Sequence, residues 1–170
     1  MATTPAMSET AMRELHEAHV AAENRGDLKA ALDLYTDDCY LQHVSLGFRV
    51  EGREAMAGYY DRVQAVFPDK QLVFEGESYG ENLAVAWGNL VATVGGPFLG
   101  VESTTPGARV SVPHIVMVTF RDGMMHGEHL VVDVATLCAL AGFDLLAVLA
   151  AAAHAPYPKR DAWDGLPTFS

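Results

Sequence analysis

Residues 109–142 read RVSVPHIVMVTFRDGMMHGEHLVVDVATLCALAG, and their patterning decides the fold class. Val110, Val112, Val116, Val118 and Phe120 recur at every second position, the period of a strand with one buried face, and His114 falls in register with them. Asp122-Gly123 is a strong hairpin signal, so a second strand from Met124 is predicted to return antiparallel to the first. That strand carries Glu128 and His129 and gives way to helical patterning at Asp133. The expectation is a histidine on the apolar side of one strand and a carboxylate at the end of its neighbour, lining one cavity. Counting by twos from Asp133 places His129 on the cavity side and leaves His126 and Glu128 as exterior or interface residues.

Working outward, Ser8 is a good cap for a first helix with Met12, Leu15, His19 and Ala22 on one face, stopping at Gly26. Asp27 can cap a second helix that buries Leu28, Ala31, Leu32 and Tyr35. Thr36-Asp37-Asp38 breaks the pattern, Cys39 to Val44 reads as a strand, and a loop passes through Gly47. A helix from Gly52 to Phe67 presents Met56, Tyr59, Val63 and Phe67 to a sheet and ends before Pro68. Two strands follow, Gln71 to Tyr79 and Leu83 to Val94, joined at Gly80-Glu81-Asn82. In the second, Leu83, Val85, Trp87 and Val91 form the bulkier face, interrupted by Asn89 as a pocket polar group. The segment 95–108, GGPFLGVESTTPGA, is rich in turn formers yet holds Phe98 and Leu99, so its apolar tip is predicted to gate the cavity.

Composition bounds the function. The 170 residues are 50% hydrophobic, enough for one domain with a sizeable core, and a net charge of −11 argues against binding nucleic acid or an anionic membrane through charge. Cys39 and Cys138 are the only cysteines and lie far apart in sequence, which argues against a disulfide framework and a cysteine-based zinc site. The start, MATTPAMSETAMRELHEAHV, lacks the basic end and apolar core of a secretory signal, and the expected location is cytoplasmic. Phe143 to Ala155 is interrupted by Asp144 and His154 and is short for a bilayer. With no HExxH, cysteine cluster, GxGxxG or Walker A loop, neither a metal nor a nucleotide cofactor is expected.

The order of YTDDCYLQHVSLG (35–47), VEGREAMAGYYDRVQAVFPD (50–69), AVAWGNLVATVGGPFLGV (84–101) and GEHLVVD (127–133) resembles that of SnoaL-like polyketide cyclases. More widely, the chain is similar to the nuclear transport factor 2-like fold. The resemblance implies an α+β domain at 1–142, a cone-shaped barrel in which a curved antiparallel sheet wraps around helices with an apolar cavity at the open end. Residues 143–170 are expected to form a helical extension and tail that cover the cavity or make an oligomer contact. One departure stands out: Leu130 follows Glu-His where the family usually has Trp.

The resemblance implies that Asp133, just before the last helix, is a general acid/base, although a strand-to-helix aspartate is also a natural N-cap. His114 and His43 are the expected hydrogen-bond donors to a substrate oxygen, and His129 is expected to orient the carboxylate. Tyr40, Tyr59, Trp87, Asn89 and Phe98 are the candidate substrate-binding walls. The activity so implied is a cofactor-independent, aldol-type ring closure of a small hydrophobic polyketide-like substrate. A hydrolase or isomerase of the same fold, or a noncatalytic binding module, are the alternatives. A homo-oligomer is expected through the outer sheet face, where Ser111, Pro113, Ile115, Met117 and Thr119 alternate outward.

Overall fold

Capping decides where the first two helices begin in the computed structural model, which describes residues 6–167. The Ser8 side chain accepts from the Ala11 amide to start α1 (Glu9–Asn24), and Asp27 accepts from Ala30 to start α2 (Leu28–Leu32). The strands are β1 (Tyr35–His43), β2 (Phe48–Glu51), β3 (Gln71–Gly80), β4 (Leu83–Thr93), β5 (Arg109–Arg121) and β6 (Met124–Val132). They form one sheet in the order β2-β1-β6-β5-β4-β3. Its curved, α+β, nuclear transport factor 2-like architecture is the expected one, with one amendment: β1 and β6 pair parallel, and the other neighbours antiparallel. The crossover between those parallel strands contains helix α3 (Arg53–Val66), which buries Met56, Tyr59, Tyr60 and Val66.

Two local expectations needed correction. Residues 44–51 are a 3-10 turn, a left-handed Gly47 and the short strand β2, not a simple loop; four residues are too few to show a period. Thr36 to Asp38 lie within β1, where the register to β6 shifts between Tyr35 and Tyr40.

Side-chain volume in β4 is the reverse of what its bulky odd residues suggest. Ala84, Ala86 and Ala92 are buried, whereas Trp87 is 43% exposed on the outer face. Trp87 lies across Gly76 of β3, whose position a Cβ would share with the indole ring. Small residues on the inner face leave room for the helix side chains packed against it.

The β5–β6 hairpin turns at Asp122-Gly123, both with positive φ, as its sequence requires. Phe120 pairs with Met125, but Thr119 pairs with Gly127, so β6 carries one extra residue, His126. This bulge reverses the parity of the rest of β6. Without it, Val116 would oppose His129 and the inward face would run Gly127, His129, Val131. With it, Val118 opposes Glu128, Val116 opposes Leu130 and His114 opposes Val132.

Helix α4 (Val134–Ala141) closes one end, and α5 (Leu145–Ala153), capped by Asp144, adds Val148 and Ala152 to the same core. The segment beyond α5 wraps back along the sheet, where the Pro158 carbonyl accepts from the Arg49 amide of β2. The extreme ends of the 1–142 and 143–170 spans lie outside the described residues. Among the described residues no helix is long and apolar enough to cross a membrane.

Candidate active site

A cavity of about 70 Å³ lies between α1, α3 and the inner face of the sheet. Its walls are mostly aliphatic and aromatic, including Val20, Leu41, Tyr59, Val63, Phe67 and Phe98. Into this apolar lining the chain inserts His16, His19 and Glu23 from α1, His43 from β1, Lys70, His114 from β5 and Glu128 from β6. All seven are buried.

Positions 12, 16, 19 and 23 are spaced by four, three and four residues, so Met12, His16, His19 and Glu23 form one stripe of α1 facing the sheet. His19 is held on both sides. Its Nδ1 donates to the Ala31 carbonyl of α2 at 3.3 Å, which directs Nε2 to the carboxylates of Glu23 at 3.6 Å and Glu128 at 3.4 Å. Lys70 Nζ reaches the other Glu23 oxygen at 2.7 Å, and the Tyr60 hydroxyl donates to Glu128 Oε2 at 3.1 Å. The result is a buried chain of alternating charge, Lys70, Glu23, His19, Glu128, that is neutral when His19 is protonated.

The protonation states follow from that chain. Burial alone would lower the His19 pKa, but the hydrogen bond and charge of Glu128, with help from Glu23, raise it above the ordinary histidine value. Burial alone would raise Glu128, but His19 beside it brings it down to about 2. Glu23 is likewise lowered: burial opposes its ionisation, and the charges of Lys70 and His19 outweigh that. His43 and His114 have no such partner, the nearest carboxylate to His16 Nδ1 is Glu77 at 3.9 Å, and burial pushes the three down to about 3, 4 and 4 in turn. At neutral pH the chamber thus holds an imidazolium–carboxylate pair beside three neutral imidazoles. His16 Nε2, His43 Nδ1 and His114 Nδ1 have no hydrogen-bond partner among the described residues. Buried polar atoms of this kind are costly unless a ligand or water meets them.

Of the residues expected at the site, His43, His114, Tyr59 and Phe98 line this cavity. Asp133 does not. It is exposed and caps α4, accepting from the Thr136 amide at 2.9 Å and the Thr136 hydroxyl at 2.7 Å; those bonds lower its pKa, the opposite of what a buried base requires. The β6 bulge turns His129 to the outer side, where its Nδ1 donates to the Ala162 carbonyl and its Nε2 accepts from the Tyr40 hydroxyl, both at 3.0 Å. Tyr40 is therefore also outside the cavity, under the Arg49 guanidinium. Trp87 and Asn89 face outward with the odd residues of β4, Asn89 donating to Glu75.

Phe98 lines the cavity, but as a buried side chain packed between Phe67 and Phe143. Its loop is tied down by the Gly95 amide to Val66 and the Thr104 amide to Gly142. Glu128, expected outside, is the inward carboxylate. His16, Glu23 and Lys70 were not anticipated at all, although the α1 stripe carried a signal for the first two. Among the described residues no three His, Cys, Asp or Glu side chains converge as metal ligands.

The model of the SnoaL-like domain family matches residues 16–126, more than half of the chain. No curated protein matches. Several solved structures do. A protein named as a SnoaL-like polyketide cyclase from Jannaschia sp. CCS1 shares 21% identity, with 83% of this chain and 98% of that one covered, and superposes with a TM-score of 0.71. AclR of Streptomyces galilaeus, named as a hydroxylase, shares 26% identity over 79% of this chain and 98% of its own, with a TM-score of 0.67. A protein of ketosteroid isomerase-like fold from Catenulispora acidiphila, bound to trimethylamine, shares 16% identity, covering 78% and 95%, with a TM-score of 0.66.

Proposed function

The chain belongs to the SnoaL-like domain family, and from that premise we propose that it is a cofactor-independent acid/base enzyme closing a ring in a small, mostly apolar polyketide-like substrate. The observation that carries this reading is the buried His19–Glu128 pair in an apolar chamber, faced by three neutral histidines with unpartnered ring nitrogens. A hydrogen on a carbon between two carbonyls is acidic enough for a carboxylate to remove without a metal.

In this reading Glu128 takes that proton and the enolate forms. An N–H of His114 or His43 donates to the oxygen that gains charge. The enolate carbon then attacks a second carbonyl of the same molecule, and the alkoxide produced takes the proton back from Glu128, which restores the carboxylate; the aldol then loses water to give the unsaturated ring. Glu128 is a weak base in the resting ion pair. Entry of an apolar substrate removes water from the pair, which destabilises the separated charges and favours proton uptake by the carboxylate. The apolar walls hold the chain folded for attack.

The test is product analysis with a linear aryl poly-β-ketone ester in ¹⁸O-labelled water. Ring closure with loss of water, faster than the spontaneous reaction, is expected. Incorporation of ¹⁸O into a cleaved acid without cyclised product would instead make the protein a hydrolase.

A further inference from the structure

Next to the catalytic chamber lies a second, outer space of about 280 Å³, and Tyr59, Val63 and Phe98 are walls of both. The outer space is completed by Ala65 and Val66 of α3, by Pro97, Leu99 and Gly100 of the 95–108 loop, and by Tyr157. Its one charged wall residue is Arg62. Three further observations mark this vestibule as a binding site rather than a packing gap.

First, Arg62 makes no ion pair among the described residues of a chain whose net charge is −11, although most of its other arginines do. Its guanidinium is steadied by an uncharged partner, contacting the Tyr157 hydroxyl and lying over the ring with its carbon 5.6 Å from the centroid. Several of its five N–H donors are therefore free for an anion.

Second, the lip is built with a strained backbone. Phe98 and Val101 bond reciprocally, amide to carbonyl, around a tight turn in which Leu99 has φ of +51° and Gly100 +80°. Leucine is rarely found in the left-handed region, and such outliers persist where the surroundings hold them for a purpose. Here the turn sets Leu99 into the vestibule wall.

Third, Tyr157 lies beyond the family-matched residues and is fixed by stacking on Phe48, with ring centroids 5.1 Å apart. The C-terminal extension thus supplies one wall of the vestibule.

An apolar, aromatic-lined vestibule with one available guanidinium, sharing three walls with an acid/base chamber, matches an elongated amphiphile. Resting on the assignment of that chamber as the active site, we infer that the substrate carries a carboxylate at the end remote from the reacting carbonyls, and that Arg62 binds it. A chamber of about 70 Å³ takes only the reacting segment, so the body of the molecule lies in the vestibule, between Leu99 and Tyr157. The planar fork of Arg62 suits a carboxylate through paired hydrogen bonds. Phe98 and Tyr59, which wall both spaces, select the width of the segment passing between them.

The test uses 6-hydroxy-2-naphthoic acid, whose phenol mimics an enol and whose carboxylate sits at the far end, together with its methyl ester. Both are titrated by fluorescence against the full chain and against Arg62→Gln, an exposed substitution that leaves the core intact. The intact protein should prefer the acid by about three- to tenfold, the range of a partly exposed charge-assisted pair. Arg62→Gln should bind acid and ester equally, and raised salt should erase the preference in the intact protein. Equal affinities for the intact protein, a preference that survives Arg62→Gln, or no binding of the acid up to millimolar concentration overturns the inference. Glu128→Gln, titrated alongside, keeps the acid preference and loses turnover, so a failure of the carboxylate subsite and a failure of the base assignment give different results.

Discussion

Glu128 and Asp133 are both acidic residues near the end of one hairpin, and their surroundings separate them completely. Asp133 spends its oxygens on the amide and hydroxyl of Thr136, while Glu128 is buried against His19 and Tyr60. The electrostatics around them set a pattern for the histidines. His16, His43 and His114 titrate near 4, 3 and 4 against 6.5 for a free histidine, so the unfolded chain takes up protons first as the pH falls below 6.5, and these residues subtract stability from there down to about pH 4 for His16 and His114 and about pH 3 for His43. His19 is shifted upward, so its contribution is complete below pH 6.5 and is lost as the pH rises through its folded value. Glu128, held at about 2 against 4.5, contributes above pH 4.5 and loses that contribution as the pH falls towards 2. Nitrogen-15 NMR of the histidine rings over pH 3 to 8 should give a midpoint above 6.5 for His19 alone among the four cavity histidines. A neutral His19 at pH 6 would mean that the ion pair with Glu128 does not form.

At the scale of elements, alternation in β5 was legible in the sequence, and it placed His114 correctly on the inner face. The same counting failed across the hairpin, because one extra residue at His126 shifts everything after it by half a period. Nothing in MMHGEHLVV announces the bulge except Gly127, which becomes intelligible only beside Tyr40. The tyrosine ring lies where a Cβ on residue 127 would be, and from there its hydroxyl reaches His129. Gly127→Ala should therefore push Tyr40 aside, break that hydrogen bond and cost about 1–3 kcal/mol, read from the urea midpoint. Unchanged stability would show that β1 and β6 approach less closely than described. In β4 the misreading had another cause: hydrophobic size marks the inner face only when the interior has room, and here alanines face the helices while Trp87 covers Gly76 outside.

For the whole molecule, the order of helices and strands carried the fold, since motifs weak individually are specific in sequence, and the curved α+β architecture follows from them. The proposed site was less legible because it is assembled from separate elements, α1, β1, β5, β6 and the turn between α3 and β3, each contributing one to three side chains whose meaning depends on the others. His19 was visible on a buried helix face, but its partner Glu128 is 109 residues away and became its partner through one bulge. The most direct test compares Glu128→Gln with Asp133→Asn by following deuterium uptake from heavy water at the carbon between two carbonyls of the aryl poly-β-ketone ester. Glutamine keeps the shape of Glu128 and can still accept from Tyr60, and circular dichroism reports whether both variants remain folded. Glu128→Gln is predicted to slow exchange by about 10²- to 10⁴-fold, and Asp133→Asn, which still caps α4, to exchange at nearly the rate of the intact protein. A folded Glu128→Gln that exchanges normally, beside an Asp133→Asn that does not, would contradict the account and return the chemistry to the helix cap.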